Sequence, residues 1–381
     1  MPNKQRKKVI YFHHGDINGG APRSLKLLLN NLNQSVYVPY VVIRSDESDA
    51  SFFEETGAKV ICEQKIKPFH GSTVSGINLK QIVYNFVYAF PTYFAAKRIL
   101  CEQRPDIVHL NSTCLFMCAM AAKHVDRKIK VISHVREPLL PNIWGRILKI
   151  MNNRYCDQFI AIDEYDGKSV DPAGNKTEVV YNAVDFTTYN AEVHSNVLRQ
   201  ELNLSEDDVI FTSLARISPE NGIKEIIKQW REAISDPRCH LVLVGEIPGR
   251  EVDYTNTCYR EIGDSKQIHI MKFRKDIPQL IASSDVIFCS FTKPHFARSI
   301  IEGAAMCKPA LSVRIGGPME LVIENKTGLF YDFQSNTSLS KAVSQMADNA
   351  EYRFALGKGA ERYARENFDA IKNARRTFLH Y

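Results

Sequence analysis

A repeated alternation of short apolar runs with helix-like segments constrains this chain more than any other feature of its sequence. In the first half, such runs lie at residues 9–12, 37–43, 59–61, 106–110, 130–134, 159–162 and 179–181. Between most of them, apolar residues recur three or four positions apart, which is the spacing of one helix face. Strands that alternate with helices predict a parallel, doubly wound sheet.

The alternation begins again in the second half. Apolar runs lie at 209–214, 240–244, 268–271, 286–290 and 310–313, and helical patterns at 223–234, 277–283 and 300–306. A chain of 381 residues has room for two domains of roughly 100–200 residues each. We therefore predict an α/β fold with Rossmann-like domains at 1–185 and 186–360. Residues 361–381 are predicted to end one long charged helix, at about 350–379, which either stays with the second domain or returns to the first.

Charge is distributed unevenly along the chain. Residues 1–150 carry 21 Lys and Arg against 11 Asp and Glu, whereas residues 151–381 carry 28 against 32. A basic first half favours an anionic partner, such as a membrane surface or a phosphorylated acceptor, although a solvated basic face gives the same count. Because no nucleic-acid-binding module is recognisable, nucleic acid is not a predicted partner.

The nine cysteines form no CxxC pair, and Cys114 and Cys118 lack neighbouring ligands for a zinc site. Free thiols are typical of a reducing cytoplasm. The apolar run at 9–12 is too short for a signal peptide, and no uncharged apolar stretch reaches the roughly 18 residues of a membrane-spanning helix. We therefore expect a cytoplasmic protein.

Ligands of open α/β sheets bind beyond the carboxyl ends of the strands, so the loops after the apolar runs hold the candidate site residues. The first loop places Gly19 and Gly20 before a helix. Glycine permits close backbone approach, and the unpaired N–H groups of a helix start favour phosphate, but a tight turn explains the same residues. The loop is neither a Walker A motif nor GxGxxG, which argues against a dehydrogenase.

The loop after the run at 209–214 carries two cations. Arg216 stands at the strand end and Lys224 at the start of the next helix. A guanidinium stays charged and donates two parallel hydrogen bonds, which suits a diphosphate, and Lys224 adds a second positive charge. A surface salt bridge is the alternative for Arg216.

The loop after the run at 286–290 leads into a helix that contains Glu302. Ala297 to Ser299 should present backbone N–H groups at the helix start. A carboxylate among apolar neighbours is costly unless it meets hydrogen-bond donors, and a ribose diol is a suitable partner. The alternative for Glu302 is plain exposure. Gly316 and Gly317, in the following loop, favour either a ligand contact or a plain turn.

Taken together and in this order, these segments resemble the retaining glycosyltransferases of family 4, which have the GT-B fold. The resemblance extends from about Val9 to Asp332. It rests on the segments GGAPRSL (19–25), DIVH (106–109), YNAVD (181–185), ARISPENG (215–222), LVGE (243–246), FARSIIE (296–302) and GGPME (316–320).

The resemblance implies the roles of the donor-side residues. Arg216, helped by Lys224, holds the donor diphosphate, and Glu302 is the second glutamate of a Glu-x7-Glu motif that binds the nucleotide ribose. The backbone of Phe296, Ala297, Arg298 and Ser299 is the phosphate-facing loop, with His295 also on the donor side. Main-chain groups of Lys272, Phe273 and Arg274 meet the base.

The resemblance also places histidines at strand ends of the first domain. His134 is the preferred catalytic-site histidine, in a set with Arg216, Lys224 and Glu302, and His109 and Arg136 lie on the acceptor side. A buried structural role is the alternative for either histidine.

The activity that the resemblance implies is transfer of a hexose-type sugar, with retention, from a nucleoside diphosphate sugar to a glycan or lipid-linked acceptor. The setting is bacterial surface polysaccharide or lipopolysaccharide synthesis. No cofactor and no metal ion are expected, because protein cations neutralise the diphosphate.

Two positions depart from the family pattern. Pro294 stands where the first glutamate of Glu-x7-Glu is expected, with His295 as a neighbouring substitute, and Asn221 replaces the usual lysine, with Lys224 one turn further on. These departures leave open a non-catalytic nucleotide-sugar-binding protein. A sugar-nucleotide epimerase of similar fold is a further alternative.

Two basic, apolar segments bear on the acceptor. Residues 82–96 are flanked by Lys80, Lys97 and Arg98, and residues 138–154 contain Arg146, Lys149 and Arg154. Such stretches can lie at a membrane interface. Packing against the sheet is the favoured explanation of the first segment and an equal alternative for the second. We hypothesise a membrane-bound acceptor and peripheral contact with an anionic membrane.

Overall fold

The computed structural model describes residues 6–15, 17, 19–44, 49–72, 77–245 and 252–381. Glu246, the last residue of the LVGE segment, lies outside these described residues, as do Asp16 and Asn18 in the loop that precedes Gly19. The chain divides into two compact units, one of residues Met1–Ala183 with Ala370–Tyr381 and the other of residues Val184–Asp369.

The first unit contains a sheet of seven strands in the order β3-β2-β1-β4-β5-β6-β7, and every adjacent pair is parallel. The strands are β1 Lys7–Phe12, β2 Tyr37–Ile43, β3 Lys59–Cys62, β4 Ile107–Leu110, β5 Lys130–Val135, β6 Gln158–Ala161 and β7 Thr177–Val179. The helices between them are α1 Gly20–Asn30, α2 Ser51–Glu54, α3 Leu79–Gln103, α4 Phe116–Val125, α5 Ile143–Tyr155 and α6 Glu164–Val170.

Helices cover both faces of this sheet because alternate side chains of a strand point to opposite faces. Ile10 and Phe12 pack in a core cluster with residues of α3, α4 and α5. Val9 and Tyr11 pack in a second cluster with residues of α1 and α2. Strands β2 and β3 lie on one side of β1, and β4 to β7 lie on the other. The strand order thus reverses between β1 and β4, and the carboxyl ends of these two strands form the switch point of the first sheet.

The second unit contains a parallel sheet of six strands in the order β10-β9-β8-β11-β12-β13. The strands are β8 Val209–Leu214, β9 Cys239–Gly245, β10 Ile268–Lys272, β11 Val286–Cys289, β12 Ala310–Val313 and β13 Gly328–Tyr331. The helices are α7 Val197–Leu202, α8 Ile223–Ala233, α9 Val252–Ile262, α10 Ile277–Ala282, α11 Arg298–Ala305, α12 Pro318–Leu321, α13 Asn336–Ala347 and α14 Ala350–Asn367. The switch point of this sheet lies between β8 and β11.

Both units confirm the predicted doubly wound, Rossmann-like α/β fold. The apolar spacing of α8 illustrates why the prediction works, since Ile223, Ile226, Ile227 and Trp230 are all buried on one helix face. The short strand β13 was not predicted.

The prediction of one long helix at about 350–379 is wrong. The structure has two helices, α14 and α15 (Ala370–Phe378), separated at Phe368 and Asp369. Phe368 is fully buried, and its carbonyl accepts a 2.8 Å hydrogen bond from the N–H of Val184. The carbonyl of Phe368 therefore bonds to a residue outside the helix. The predicted helix 361–381 is divided between the two units.

The helix α15 belongs to the first unit. The amide of Asn373 donates to the carbonyl of Tyr181 at 3.0 Å, and Arg376 forms an ion pair with Glu178. Ala374 lies in the core cluster that also contains Leu28 of α1. The chain therefore returns to the first unit after completing the second.

Candidate functional site

The loop after β8 carries Arg216 to the switch point of the second sheet. It continues through a 3-10 turn, Pro219–Asn221, into α8. The side-chain amide of Asn221 is buried and donates to the carbonyl of Arg216 at 2.7 Å and to the hydroxyl of Ser218 at 3.3 Å. Asn221, one of the two departures from the family pattern, therefore fixes the loop by hydrogen bonds and provides no positive charge.

The loop after β11 is joined to the Arg216 loop by hydrogen bonds from Ser290 and Thr292. The Ser290 hydroxyl donates to the carbonyl of Asn221 at 2.8 Å. The N–H and hydroxyl of Thr292 donate to the carbonyls of Glu220 and Pro219, at 3.0 and 2.8 Å. The two loops that flank the switch point therefore form one connected structure.

Two glycines bring the backbone of these loops into close contact. Gly222 has a φ of +65°, and a Cβ atom there would lie 2.1 Å from the carbonyl oxygen of Ser290. A Cβ atom on Gly245, at the end of β9, would lie 1.9 Å from the carbonyl oxygen of Ala215. Neither position has room for any other residue, so the spacing of the loops requires glycine.

Arg216 and Lys224 are cations without carboxylate partners among the described residues. The Arg216 side chain is exposed, and the Lys224 side chain is half-buried. The N–H of Lys224 donates to the phenol oxygen of Tyr254 at 2.9 Å, which places the start of α8 against α9. By contrast, the guanidinium of Arg274 contacts both Glu201 and Asp276 at 2.6 Å. The surface-salt-bridge alternative for Arg216 therefore finds no support in the described residues.

His295 lies in the loop after β11, close enough to Arg216 to be affected by its charge. Its ring stacks on Phe291 with centroids 3.6 Å apart, and its Nδ1 atom lies 2.9 Å from the carbonyl oxygen of Lys293. Burial, followed by the neighbouring charge of Arg216, lowers the pKa of His295 to about 4. His295 is therefore neutral at pH 7 and can exchange hydrogen bonds with sugar hydroxyls, but it does not reproduce the charge of a glutamate.

Pro294 packs against the predicted glycine pair. Gly316 has a φ of +47°, and a Cβ atom there would lie 2.7 Å from the Cβ atom of Pro294. In this structure, Gly316 thus provides both a left-handed turn and contact with the loop after β11. Phe296, which follows His295, is buried.

Helix α11 begins directly after this loop. Ala297 is its N-cap residue, has no side-chain cap, and precedes Arg298 and Ser299 in the first turn. Glu302 is only 6% exposed, and its Oε1 atom lies 3.3 Å from the Nε atom of Arg298. The plain-exposure alternative for Glu302 is therefore wrong, and Arg298 is a partner that the sequence reasoning did not foresee.

The base-side residues lie at the carboxyl end of β10, an edge strand of the sheet. Lys272 and Phe273 are exposed, and Arg274 is held by Glu201 and Asp276. The hydrogen bond from Arg274, as the leading cause, lowers the pKa of Asp276. A role of this segment in meeting the base through its main chain stays a prediction.

The switch point of the first sheet holds a network of polar side chains. The side-chain amide of Asn111 lies 3.0 Å from Nδ1 of His13, and its carbonyl oxygen accepts from Nε of Arg136 at 2.9 Å. Arg136 also donates to the side-chain oxygen of Asn182 at 3.1 Å, which accepts from Ser24 at 3.0 Å. The network connects the ends of β1, β4 and β5 to α1.

A second chain of hydrogen bonds leads to His134. The phenols of Tyr11 and Tyr381 are 3.0 Å apart, and the Tyr381 oxygen lies 2.6 Å from Nδ1 of His109. Nε2 of His109 in turn lies 2.9 Å from Nδ1 of His134. Burial is the leading cause that lowers the pKa of His109 to about 3 and that of His134 well below its usual value. Both rings are thus buried and neutral.

His134 and Arg136 line a small cavity of about 40 Å³ within the first unit. Its other walls come from α1, residues 180–183 and α15. Gly19 and Gly20 start α1, as its N-cap and first helical residue, and both are exposed. Neither glycine has a positive φ, so the extended backbone at Gly19 does not require glycine.

Several residues of these networks were missed in the sequence. His13 and Asn111 each follow a strand directly, so reading every strand-end residue would have found them. Glu137, two residues after β5, was also missed. Burial raises the pKa of the Glu137 carboxyl, whose Oε1 atom lies 3.6 Å from Sγ of Cys114. Tyr381 has no sequence signal of this kind. Across the parts of the chain that the structure describes, no group of three or more His, Cys, Asp and Glu residues could hold a metal ion.

Comparison with known families gives the class of protein that these features define. Residues 18–188 match the family described as Glycosyltransferase Family 4, and residues 195–363 match Glycosyl transferases group 1. Together the two matches span most of the chain, which belongs to the family 4 glycosyltransferases.

Individual relatives are distant. Spore coat protein SA of Bacillus subtilis is 26% identical over 230 residues, which are 55% of this chain and 61% of that protein. An N,N'-diacetylbacillosaminyl-diphospho-undecaprenol alpha-1,3-N-acetylgalactosaminyltransferase of Campylobacter jejuni is 22% identical over 215 residues, 54% of this chain and 55% of that protein. The chain thus matches less than two thirds of the length of either relative.

The crystal structure of HepE from Anabaena in complex with UDP covers 98% of both chains, with a TM-score of 0.81 and 21% sequence identity. HepE has also been crystallised in complex with UDP-glucose, for which the TM-score is 0.80. This likeness shows that the chain has the fold of the GT-B glycosyltransferases.

Proposed function

We propose that this protein is a retaining glycosyltransferase that moves a hexose-type sugar from a nucleoside diphosphate sugar to a glycan or lipid-linked acceptor. The observation that carries the proposal is Arg216, an exposed guanidinium without a carboxylate partner among the described residues, at the switch point of the second sheet. Ligands of doubly wound sheets bind at such switch points, and a guanidinium there suits a diphosphate.

Charge stabilisation at the leaving diphosphate is the chemistry that these residues support. Departure of the sugar leaves negative charge on the diphosphate, and a preorganised cation favours that state more than the ground state. Arg216 is the main candidate, with Lys224 and the first turn of α11 as neighbours. HepE has been crystallised with UDP and UDP-glucose, which supports a uridine nucleotide as the donor.

On the acceptor side, His134 is the residue that we propose contacts the reacting groups. Its ring is neutral because burial is the main cause that lowers its pKa. A neutral imidazole whose Nδ1 atom is held by His109 at 2.9 Å can exchange a hydrogen bond with a sugar hydroxyl through Nε2. Arg136 donates hydrogen bonds to Asn111 and Asn182, which position its charge at the carboxyl end of β5, the strand that carries His134.

The acceptor and its location complete the proposal. The Campylobacter relative is named for transfer to a diphospho-undecaprenol sugar, which supports a lipid-linked acceptor and a role in bacterial surface polysaccharide or lipopolysaccharide synthesis. The excess of Lys and Arg in residues 1–150 supports peripheral contact with an anionic membrane on the cytoplasmic side.

A donor screen followed by product analysis tests the proposal. Thermal shifts with UDP-, GDP- and dTDP-sugars identify the donor, since a ligand at a hundredfold excess over its Kd stabilises the fold by about 2.7 kcal/mol. Transfer to lipid-linked and soluble glycan acceptors is then measured, and NMR of the product gives the anomeric configuration. Inversion, or no transfer to any acceptor, contradicts the proposal. The protein is expected to need no cofactor, and transfer should persist after treatment with EDTA.

A second candidate function is donor binding without transfer. The observation that favours it is Pro294, which replaces a charged residue of the motif and packs on Gly316. A protein of this kind would bind the nucleotide sugar in the thermal-shift screen and transfer nothing in the acceptor panel.

A further inference from the structure

Helix α3 exposes an apolar stripe along its length. The stripe consists of six large apolar residues, each between 54% and 76% exposed: Leu79, Val83, Phe86, Val87, Phe90 and Phe94. At about 100° per residue, all six fall within a sector of roughly 100°. From Leu79 to Phe94 the stripe is about 22 Å long at a rise of about 1.5 Å per residue. Contiguous apolar surface of this extent marks an interaction site.

The opposite face of α3 is fixed to the body of the first unit. Asn85 is buried, and its side chain accepts from the N–H of His70 at 2.7 Å and donates to the carbonyl of His70 at 2.9 Å. Thr92 is also buried and donates to the carbonyl of Lys65 at 2.8 Å. Packing against the sheet, the favoured explanation of residues 82–96, therefore accounts for only one face of the helix.

The stripe continues onto α5. The rings of Phe86 and Trp144 meet edge to face with centroids 5.9 Å apart. Trp144 is the second residue of α5, which also exposes Ile143 and Ile150. A groove of about 540 Å³ beside Ile143 is lined by residues that include Leu139, Leu140, Arg146 and Lys149. We call the exposed faces of α3 and α5 together the α3–α5 surface.

The charge on this surface is positive except at Glu102, near the end of α3. Neither α5 nor residues 79–101 of α3 contain an Asp or Glu, whereas the two segments carry six cations: Lys80, Lys97, Arg98, Arg146, Lys149 and Arg154. Arg98 is paired with Glu63. A second copy of the chain would bring this surface against itself in a twofold dimer, so like charges would oppose one another. An anionic bilayer instead complements the cations and accommodates the phenylalanines.

We propose that the α3–α5 surface docks on an anionic lipid bilayer, with the phenylalanines of α3 in the interfacial layer and the flanking cations on lipid phosphates. This deepens the peripheral membrane contact of the proposed function and rests on it. The contact is interfacial, since none of the helices in the described ranges is long and apolar enough to cross a bilayer. Docking would hold the first unit beside a lipid-linked acceptor.

Vesicle binding by the full chain tests the surface. One variant replaces Phe86, Phe90 and Phe94 by Ser, a second replaces Lys80 and Lys97 by Glu, and the matched control is Phe354→Ser, an equally exposed phenylalanine of α14. We expect binding to vesicles of phosphatidylglycerol and phosphatidylcholine that weakens as salt rises. The Ser variant should bind about a hundredfold more weakly and the Glu variant about tenfold, with Phe354→Ser unchanged.

Each outcome decides the inference. Wild-type protein that ignores anionic vesicles at low salt overturns it, and so does a Ser variant that binds like wild type. A wild-type dimer that the Ser variant converts to a monomer also overturns it, because the surface would then join two copies.

Donor binding and transfer to a soluble acceptor, measured on the same proteins, separate this inference from the proposed function. Vesicle binding without any transfer supports docking and contradicts the transferase. Transfer by wild type without vesicle binding does the reverse. The Ser variant should keep donor binding and soluble-acceptor transfer at wild-type levels.

Discussion

The Nε2 atom of His109 lies 2.9 Å from the Nδ1 atom of His134, and both rings are buried in the first unit. Because a neutral imidazole carries one N–H, His109 can donate on one side and accept on the other. The Tyr381 phenol, 2.6 Å from the far nitrogen of His109, therefore helps to decide which nitrogen of His134 carries its proton.

Removing the Tyr381 hydroxyl tests this chain of hydrogen bonds. Tyr381→Phe should lower kcat about tenfold and leave the donor KM unchanged, because one orienting hydrogen bond is worth about 1–1.5 kcal/mol. His134→Asn should lower kcat further, and the double variant should match His134→Asn alone. Tyr37→Phe is the matched control. The Tyr37 ring packs on Tyr381, with ring centroids 5.6 Å apart, but Tyr37 is not a member of this series of hydrogen bonds. Additive effects of the two substitutions would contradict the linkage.

Acid should destabilise the first unit through its buried histidines. Burial, as the leading cause, lowers the pKa values of His13 and His109 to about 3. The unfolded chain binds protons at these positions below about pH 6.5 while the folded chain does not, so stability falls as the pH drops from about 6.5 toward 3. At pH 5 each histidine should cost about 2 kcal/mol.

The measurement is the Tm between pH 7 and pH 5. His13→Asn should flatten this dependence, whereas substitution of the exposed His194 should leave it unchanged. A Tm of the wild type that does not change over this range would show that the histidines are not held neutral.

Two glycines have the same backbone conformation but different surroundings. Substituting each of them separates the cost of backbone strain from the cost of a steric clash. Gly222 and Gly174 have φ values of +65° and +70°, but only Gly222 lies where a Cβ atom would strike a carbonyl oxygen. Gly174→Ala should cost about 1 kcal/mol. Gly222→Ala should cost several-fold more and weaken donor binding, because the Arg216 loop and the β11 loop must separate. Equal losses of stability would contradict this account.

Glu302 can be tested through the ligand. If its carboxylate binds the ribose, wild type should prefer UDP to 2′-deoxy-UDP by about tenfold, and Glu302→Gln should lose much of that preference. If Glu302 serves only to pair with Arg298, at 3.3 Å, the preference is the same in both proteins. Titration calorimetry with the two nucleotides measures the difference directly, with Arg298→Lys as the control for the ion pair.

Much of the fold could be predicted from the sequence because buried parallel strands are short apolar runs and their covering helices have apolar residues on one face. The same logic located the loops that carry Arg216 and His295. It failed at Phe368, where a helical pattern continues although the carbonyl of that residue bonds to Val184, far away in the chain. Periodicity carries no information on such contacts.

The polar networks were outside the reach of sequence reasoning for the same reason. His109 and Tyr381 are 272 positions apart, and nothing in the spacing of either residue indicates their contact. The exposure of one face of α3 could not be predicted from the sequence either, because a helix with apolar residues on most sides is usually buried. Only the packing of Asn85 and Thr92 shows which face is turned inward.

The affinity of the donor nucleotide for Arg216→Ala tests the central claim most directly. The nucleotide is the one that binds wild type best among UDP, GDP and dTDP. The control is Arg314→Ala, an exposed arginine of the same unit that is paired with Glu324. Loss of a charge-assisted hydrogen bond should raise the Kd at least about tenfold for Arg216→Ala and leave it unchanged for Arg314→Ala. A folded Arg216→Ala protein with the Kd of wild type would contradict the assignment of the diphosphate to Arg216.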